Sequence, residues 1–222
     1  MGIRSLLPVG LMCWPIIALA QVSGQFYMEK SSFSQGEPIF LYFEVVNNGS
    51  KVENIVSADP YSFCSGFQIA VSSNAGAKSS CEPMAVGGSC LSSSTPLLPG
   101  KSKIDRLLLN FDHKVDTPGE YSVDAVRHLA HADSDRDFFS PDTSKEALEV
   151  GSTFYFRVDK DAPQDAKALQ PWVDQLRSSD MMKRLEAART VASLAPREFE
   201  DTLLRWSTTP SSGRMHLSHC TG

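Results

Sequence analysis

The hydrophobic period of this chain changes once, near residue 160, and that change divides what the chain can fold into. From about Gln25 to Asp159 apolar residues recur at every second position, the period of a strand with one buried face. Beyond the linker Asp161-Ala162-Pro163-Gln164 the period becomes helical. Leu169, Trp172, Val173 and Leu176 fall at i, i+3, i+4 and i+7. A strand-rich half followed by a short helical segment is therefore expected.

In the first half, Phe26, Met28 and Phe33 predict a first strand, and Ser34-Gln35-Gly36-Glu37-Pro38 predicts a turn. Residues 39–46 (IFLYFEVV) are aromatic and β-branched, which suits a buried strand. Asn47-Asn48-Gly49-Ser50 predicts a hairpin turn, because Asn and Gly tolerate positive φ. Further strands are expected over 52–56, 67–72, 104–111, 121–129 and 151–159, with irregular Ser/Gly/Pro-rich chain over 73–102 that has room for a short strand near Cys90–Ser93, and a polar excursion over 130–144. About seven short antiparallel strands separated by turns predict a β-sandwich.

In the second half, Asp180 or Ser179 stands where a helix N-cap is needed. Leu185, Ala188, Ala192 and Ala195 predict one stripe of the following helix. Pro196 fits the first position of a third helix carrying Phe199, Leu203 and Trp206. Ordering about 40 residues costs more than burying this unit's apolar side chains returns. The helical unit is therefore expected to need a neighbour.

The two ends carry a different signal. Met1-Gly2-Ile3-Arg4, the apolar run over 5–17 and Ala18-Leu19-Ala20 have the order of a secretory signal peptide cleaved after Ala20. Cleavage removes Arg4 and takes the formal net charge from -5 to -6. A mildly acidic chain lacks the basic stripe of nucleic-acid binders. No later apolar run approaches the ~20 residues of a membrane span, so no stable span is expected after cleavage. In an oxidising compartment Cys64, Cys81 and Cys90 are disulfide candidates; their spacing leaves the pairing open, and Cys220 stands apart. The expected organisation is a signal peptide over 1–20, a sandwich over 21–160, a helical unit over 165–206 and a loose tail over 207–222.

Catalytic and metal signatures are weak. Asp133, Asp135 and Asp137 have the D-x-D-x-D spacing of a calcium loop, but Phe138 and Ser144 stand where that loop needs Gly and Glu. A solvated acidic loop is the expected role. His128 and His131, with Asp133, would meet at a metal only if the strand ended between them. No G-x-S-x-G elbow accompanies the serine clusters. No cofactor and no catalytic residue is expected.

Two stretches resemble known families. Residues 171–195 resemble a HEAT-type repeat: Trp172, Val173 and Leu176 on one helix, a turn with Asp180, then Lys183-Arg184, Glu186-Ala187-Ala188, Val191-Ala192 and Leu194. The turn grammar of Gly36-Glu37-Pro38, Val46-Asn47-Asn48-Gly49, Leu98-Pro99-Gly100-Lys101 and Pro118-Gly119-Glu120-Tyr121 resembles immunoglobulin-like sandwiches of exported bacterial proteins. Tyr121 is reminiscent of a tyrosine corner. These resemblances imply a non-catalytic secreted or periplasmic protein with an unidentified protein partner. Two other readings compete: a proteinase-inhibitor-like sandwich acting through a long loop and, more weakly, a small metal-dependent hydrolase.

Overall fold

The computed structural model describes residues 21–61, 65–74, 78–80, 92–129, 148–160 and 166–194. The expected signal peptide over 1–20, Cys64, Cys81, Cys90, Asp133, Asp135, Asp137, the expected third helix and the expected loose tail over 207–222 lie outside the described residues.

The described chain folds as a β-sandwich with a helical hairpin against it. One sheet has the order β1 (Val22–Tyr27), β3 (Phe40–Asn47), β8 (Ser102–Leu108). The second has the order β2 (Ser32–Ser34), β10 (Leu148–Asp159), β9 (Gly119–Leu129), β5 (Phe67–Ser73), β6 (Lys78–Ser80). A two-stranded ribbon pairs β4 (Glu53–Ala58) with β7 (Ser92–Leu97). Alternation places Leu41, Phe43 and Val45 inward from β3, and Tyr121, Val123 and Ala125 inward from β9. Phe26 and Phe43 of the first sheet meet Phe67 of the second at centroid distances of 6.1 and 5.7 Å, and this aromatic contact spans the core. Tyr121 stacks on Phe156 and donates its hydroxyl to the Thr117 carbonyl at 2.6 Å, fixing the entry to β9.

Several sequence expectations are corrected. The described residues hold ten strands, not seven, and β2 runs parallel to β10. The stretch from Phe26 to Phe33 is two strands in different sheets, because β1 pairs with β3 and β2 with β10. Asn47–Ser50 is not a hairpin turn. Both edges of β3 are taken, by β1 and β8, so β4 must pair elsewhere. Asn47 directs that departure: its buried side chain donates to the Lys51 and Leu97 carbonyls and accepts from the Gly49 amide. The strand expected over 104–111 ends at Leu108. There the Asn110 side chain takes the Ile39 amide at 2.7 Å, and residues 109–112 turn as the one-turn helix α1 (Leu109–Asp112). The turn Leu98–Lys101 forms as expected, with Gly100 at φ +70 and the Lys101 amide donating to the Leu98 carbonyl.

Helix α2 (Ala166–Gln175) and helix α3 (Met181–Leu194) form the hairpin. Asp180 caps α3, accepting from the Met182 amide at 2.9 Å. The buried face of α3 is Ala187, Ala188, Thr190, Val191 and Leu194. Leu185 and Ala192 are only half-buried, and Ala195 lies outside the described residues. The face is wider than one stripe because α3 packs on both α2 and α1. The small residues Ala187 and Ala188 let Leu176 and Trp172 approach closely. Thr190 is buried without penalty, because its hydroxyl donates to the Glu186 carbonyl one turn back.

Candidate functional site

The seam between α3 and the outer face of the first sheet gathers charged and aromatic side chains. On β3 and β8, outward alternation presents Phe40, Tyr42 and Arg106. On α3, Glu186 and Arg189 are three residues apart and face the sandwich together. Arg106 binds Glu186 with both carboxylate oxygens engaged. Its guanidinium lies over Phe40 and Trp172, 4.6 and 5.4 Å from the ring centroids. Arg189 makes the reverse pairing, donating to Asp59 at 2.6 Å and lying over Tyr61 at 4.4 Å. Two arginines, one from each partner element, thus clasp the hairpin to the sandwich.

Protonation behaviour follows this packing. Burial alone would lower the Arg106 pKa, but Glu186, with a smaller contribution from Tyr42, outweighs it and the net shift is upward. Burial pushes Tyr61 strongly upward, while the Leu108 amide donates to its hydroxyl at 2.6 Å. Burial also raises Asp112 to about 6; Arg189 opposes this and the nearby Asp59 charge adds to it. Desolvation at the seam thus explains the upward shifts of Tyr61 and Asp112, whereas that of Arg106 comes from its partners against desolvation.

Beside the clasp lies an open cleft of about 490 Å³ lined by Arg106, Asp174, Gln175, Ser178, Lys183 and Glu186. Arg184 closes one end of the α2–α3 turn by donating to the Ser178 and Ser179 carbonyls. Met181 and Met182 stand beside it on the first turn of α3, 60% and 59% exposed.

The residues singled out in the sequence fall differently. The calcium-spaced aspartates Asp133, Asp135 and Asp137 and the disulfide candidates Cys64, Cys81 and Cys90 lie outside the described residues. His128 points to the outer face of the second sheet, between Gln68 at 3.3 Å and Glu149 at 3.3 Å. Among the described residues no group of three His, Cys, Asp or Glu side chains could hold a metal ion. Sequence reasoning missed Arg106, Asp59, Asp112 and Arg189. The available signal was the i, i+3 pair Glu186 and Arg189 on a helix needing a neighbour, and an outward Arg106 amid a strand pattern.

No family model and no curated protein matches the chain. Solved structures with partial similarity include the putative ApaA protein from Bordetella pertussis, at 15% identity over 62% of this chain and 89% of that one, with a TM-score of 0.31. The CARDB domain of the PF1109 protein from Pyrococcus furiosus, solved with di-metal ions, aligns at 12% identity over 62% and 87%, with a TM-score of 0.29. A β-glucosidase from Erythrobacter marinus aligns at 15% identity and a TM-score of 0.27; the match covers 60% of this chain and 15% of the enzyme. A second β-glucosidase, from Listeria innocua, is matched over 16% of its length.

Proposed function

We propose that this is a non-catalytic exported interaction module, in which an immunoglobulin-like sandwich carries a HEAT-like helical hairpin and a partner protein binds at the cleft beside the clasp. The carrying observation is how the hairpin's surface is divided. Its apolar face, Leu169, Leu176, Ala187, Val191 and Leu194, is spent against the rest of the chain. What stays outward is a polar open cleft beside two exposed methionines. Adaptable methionine side chains next to a polar rim suit protein recognition. The capped turn at Asp180 and the small pair Ala187-Ala188 support the HEAT-like reading. The strongly shifted groups Tyr61 and Asp112 sit within the seam's own packing, which supports a structural role for them. The basic start and Ala18-Leu19-Ala20 support export.

A photo-crosslinking residue at Met182, in the full chain expressed in its own host, tests the reading. A discrete protein adduct is expected, lost when Lys183→Glu is added. Absence of any adduct, or one unchanged by Lys183→Glu, would remove the cleft as the binding surface.

A further inference from the structure

Strand β10 outruns its neighbour at the edge of the second sheet. It spans Leu148–Asp159 and pairs with β9 from Leu148 to Val158, whereas β2 covers only Arg157, Val158 and Asp159 on its other side. The Arg157 amide donates to the Ser31 carbonyl, and the Asp159 carbonyl accepts from the Gln35 amide. Odd-numbered residues of β10 therefore turn their backbone N–H and C=O groups toward that edge. Among the described residues, no strand meets those groups of Glu149, Gly151, Thr153 and Tyr155.

Burial marks the same gap. Beside β2, the inward residues Phe156 and Val158 are 1% and 2% exposed. Leu148, Val150 and Phe154 turn the same way but are only partly buried. Strand β1 packs on Val150 through Gly24, but it belongs to the first sheet, so it covers the inward face and leaves the edge. The open stretch, residues 148–156, holds neither lysine nor proline, and its register with β9 runs without a bulge. Those are the usual devices that keep a strand edge from pairing.

We propose that β10 pairs with β10 of a second copy of this chain, antiparallel about a two-fold axis at Ser152, which joins the two five-stranded sheets into one. Strand β2 fixes the centre. Pairing about Ser152 sets Leu148 against Phe156 of the other copy and uses the whole open stretch. A centre further along the strand would drive the β2 of one copy into the β10 of the other. In this register Gly151 exchanges hydrogen bonds with Thr153 of the other copy, and Glu149 with Tyr155. On the inward face Val150 meets Phe154, a β-branched–aromatic pair. On the outward face Glu149 lies diagonally across from Arg157, with side-chain exposures of 66% and 57%. Within its own chain Glu149 faces His128 at 3.3 Å and Arg157 holds Asp159 through Nε, so the new pair extends these contacts.

The test is sedimentation of the full chain over a range of concentrations, with amide hydrogen exchange read along β10. A reversible monomer–dimer equilibrium is expected, with exchange at Gly151, Thr153 and Tyr155 slowing as the concentration rises. Thr153→Pro removes an edge N–H and leaves the β9 ladder its own donors, so it is expected to abolish the dimer. Should Thr153→Pro not fold, Glu149→Arg is expected to weaken association about tenfold, and adding Arg157→Glu to restore it; an unchanged affinity would overturn the proposal. A chain that stays monomeric would overturn it as well, and protected edge amides in that monomer would assign the edge to another segment of the same chain. A dimer that survives Thr153→Pro, or whose edge amides exchange as fast as the monomer's, would place the contact elsewhere and would also overturn it.

Discussion

Arg106 of β8 and Glu186 of α3, eighty positions apart, form a two-oxygen ion pair roofed by Phe40 and Trp172. The pair is half-buried, with side-chain exposures of 33% and 27%. A partly desolvated, geometrically fixed arginine–carboxylate pair contributes more than an exposed one. Removing one partner leaves the other charge at the seam. Glu186→Gln and Arg106→Met are each expected to cost about 1–3 kcal/mol in urea unfolding. The double variant is expected to cost less than the sum, a coupling that a double-mutant cycle reads directly.

The seam also sets a pH dependence. Burial holds Asp112 protonated up to about 6, against 3.8 ordinarily. The folded state then binds this proton more tightly than the unfolded chain. Its contribution is fully present below about pH 4 and is lost as pH rises through about 6, amounting to at most ~3 kcal/mol. Asp112→Asn is expected to flatten this part of the stability profile and to be more stable than the native chain near pH 8. The urea midpoint measured across that range checks it; an unchanged slope would contradict it.

Much of this architecture is legible in the sequence, for reasons that can be stated residue by residue. Period-two alternation marks the inward residues of β3 and β9, because burial on one face leaves that trace. The cap at Asp180 is local chemistry and is readable without a fold. The fate of the chain after Asn47 is not. Asn-Gly has the grammar of a hairpin, but strand pairing is decided by which edges remain free, and that depends on residues 102–108 far along the chain. The seam was hidden for the same reason. Arg106, Asp59 and Arg189 are ordinary surface-type residues until the fold sets them opposite one another.

The α3 cap predicts a local effect. Asp180 accepts from two amides of the first turn, those of Met182 and Lys183. Asp180→Ala is expected to cost about 1 kcal/mol and to speed amide hydrogen exchange in the first turn of α3. Exchange rates unchanged at Met182 and Lys183 would deny the cap its role.

Gly66 predicts a large one. Its positive φ and the His128 carbonyl leave no space for a methyl group. Gly66→Ala is expected to destabilise the sandwich by about 2 kcal/mol or more, read as a lowered urea midpoint with unchanged slope. Gly100 shares the positive φ but meets no atom within 4 Å, so Gly100→Ala is expected to cost less.

The central claim is that the helical hairpin takes the sandwich as its neighbour and unfolds with it. In a chain of residues 21–222 carrying Trp206→Phe, Trp172 is the sole tryptophan, and it sits on the Arg106 clasp. Urea unfolding followed by Trp172 fluorescence and by the far-ultraviolet strand signal is the direct test. Coincident transitions with one midpoint are expected. A Trp172 transition at clearly lower urea than the strand signal would contradict the claim.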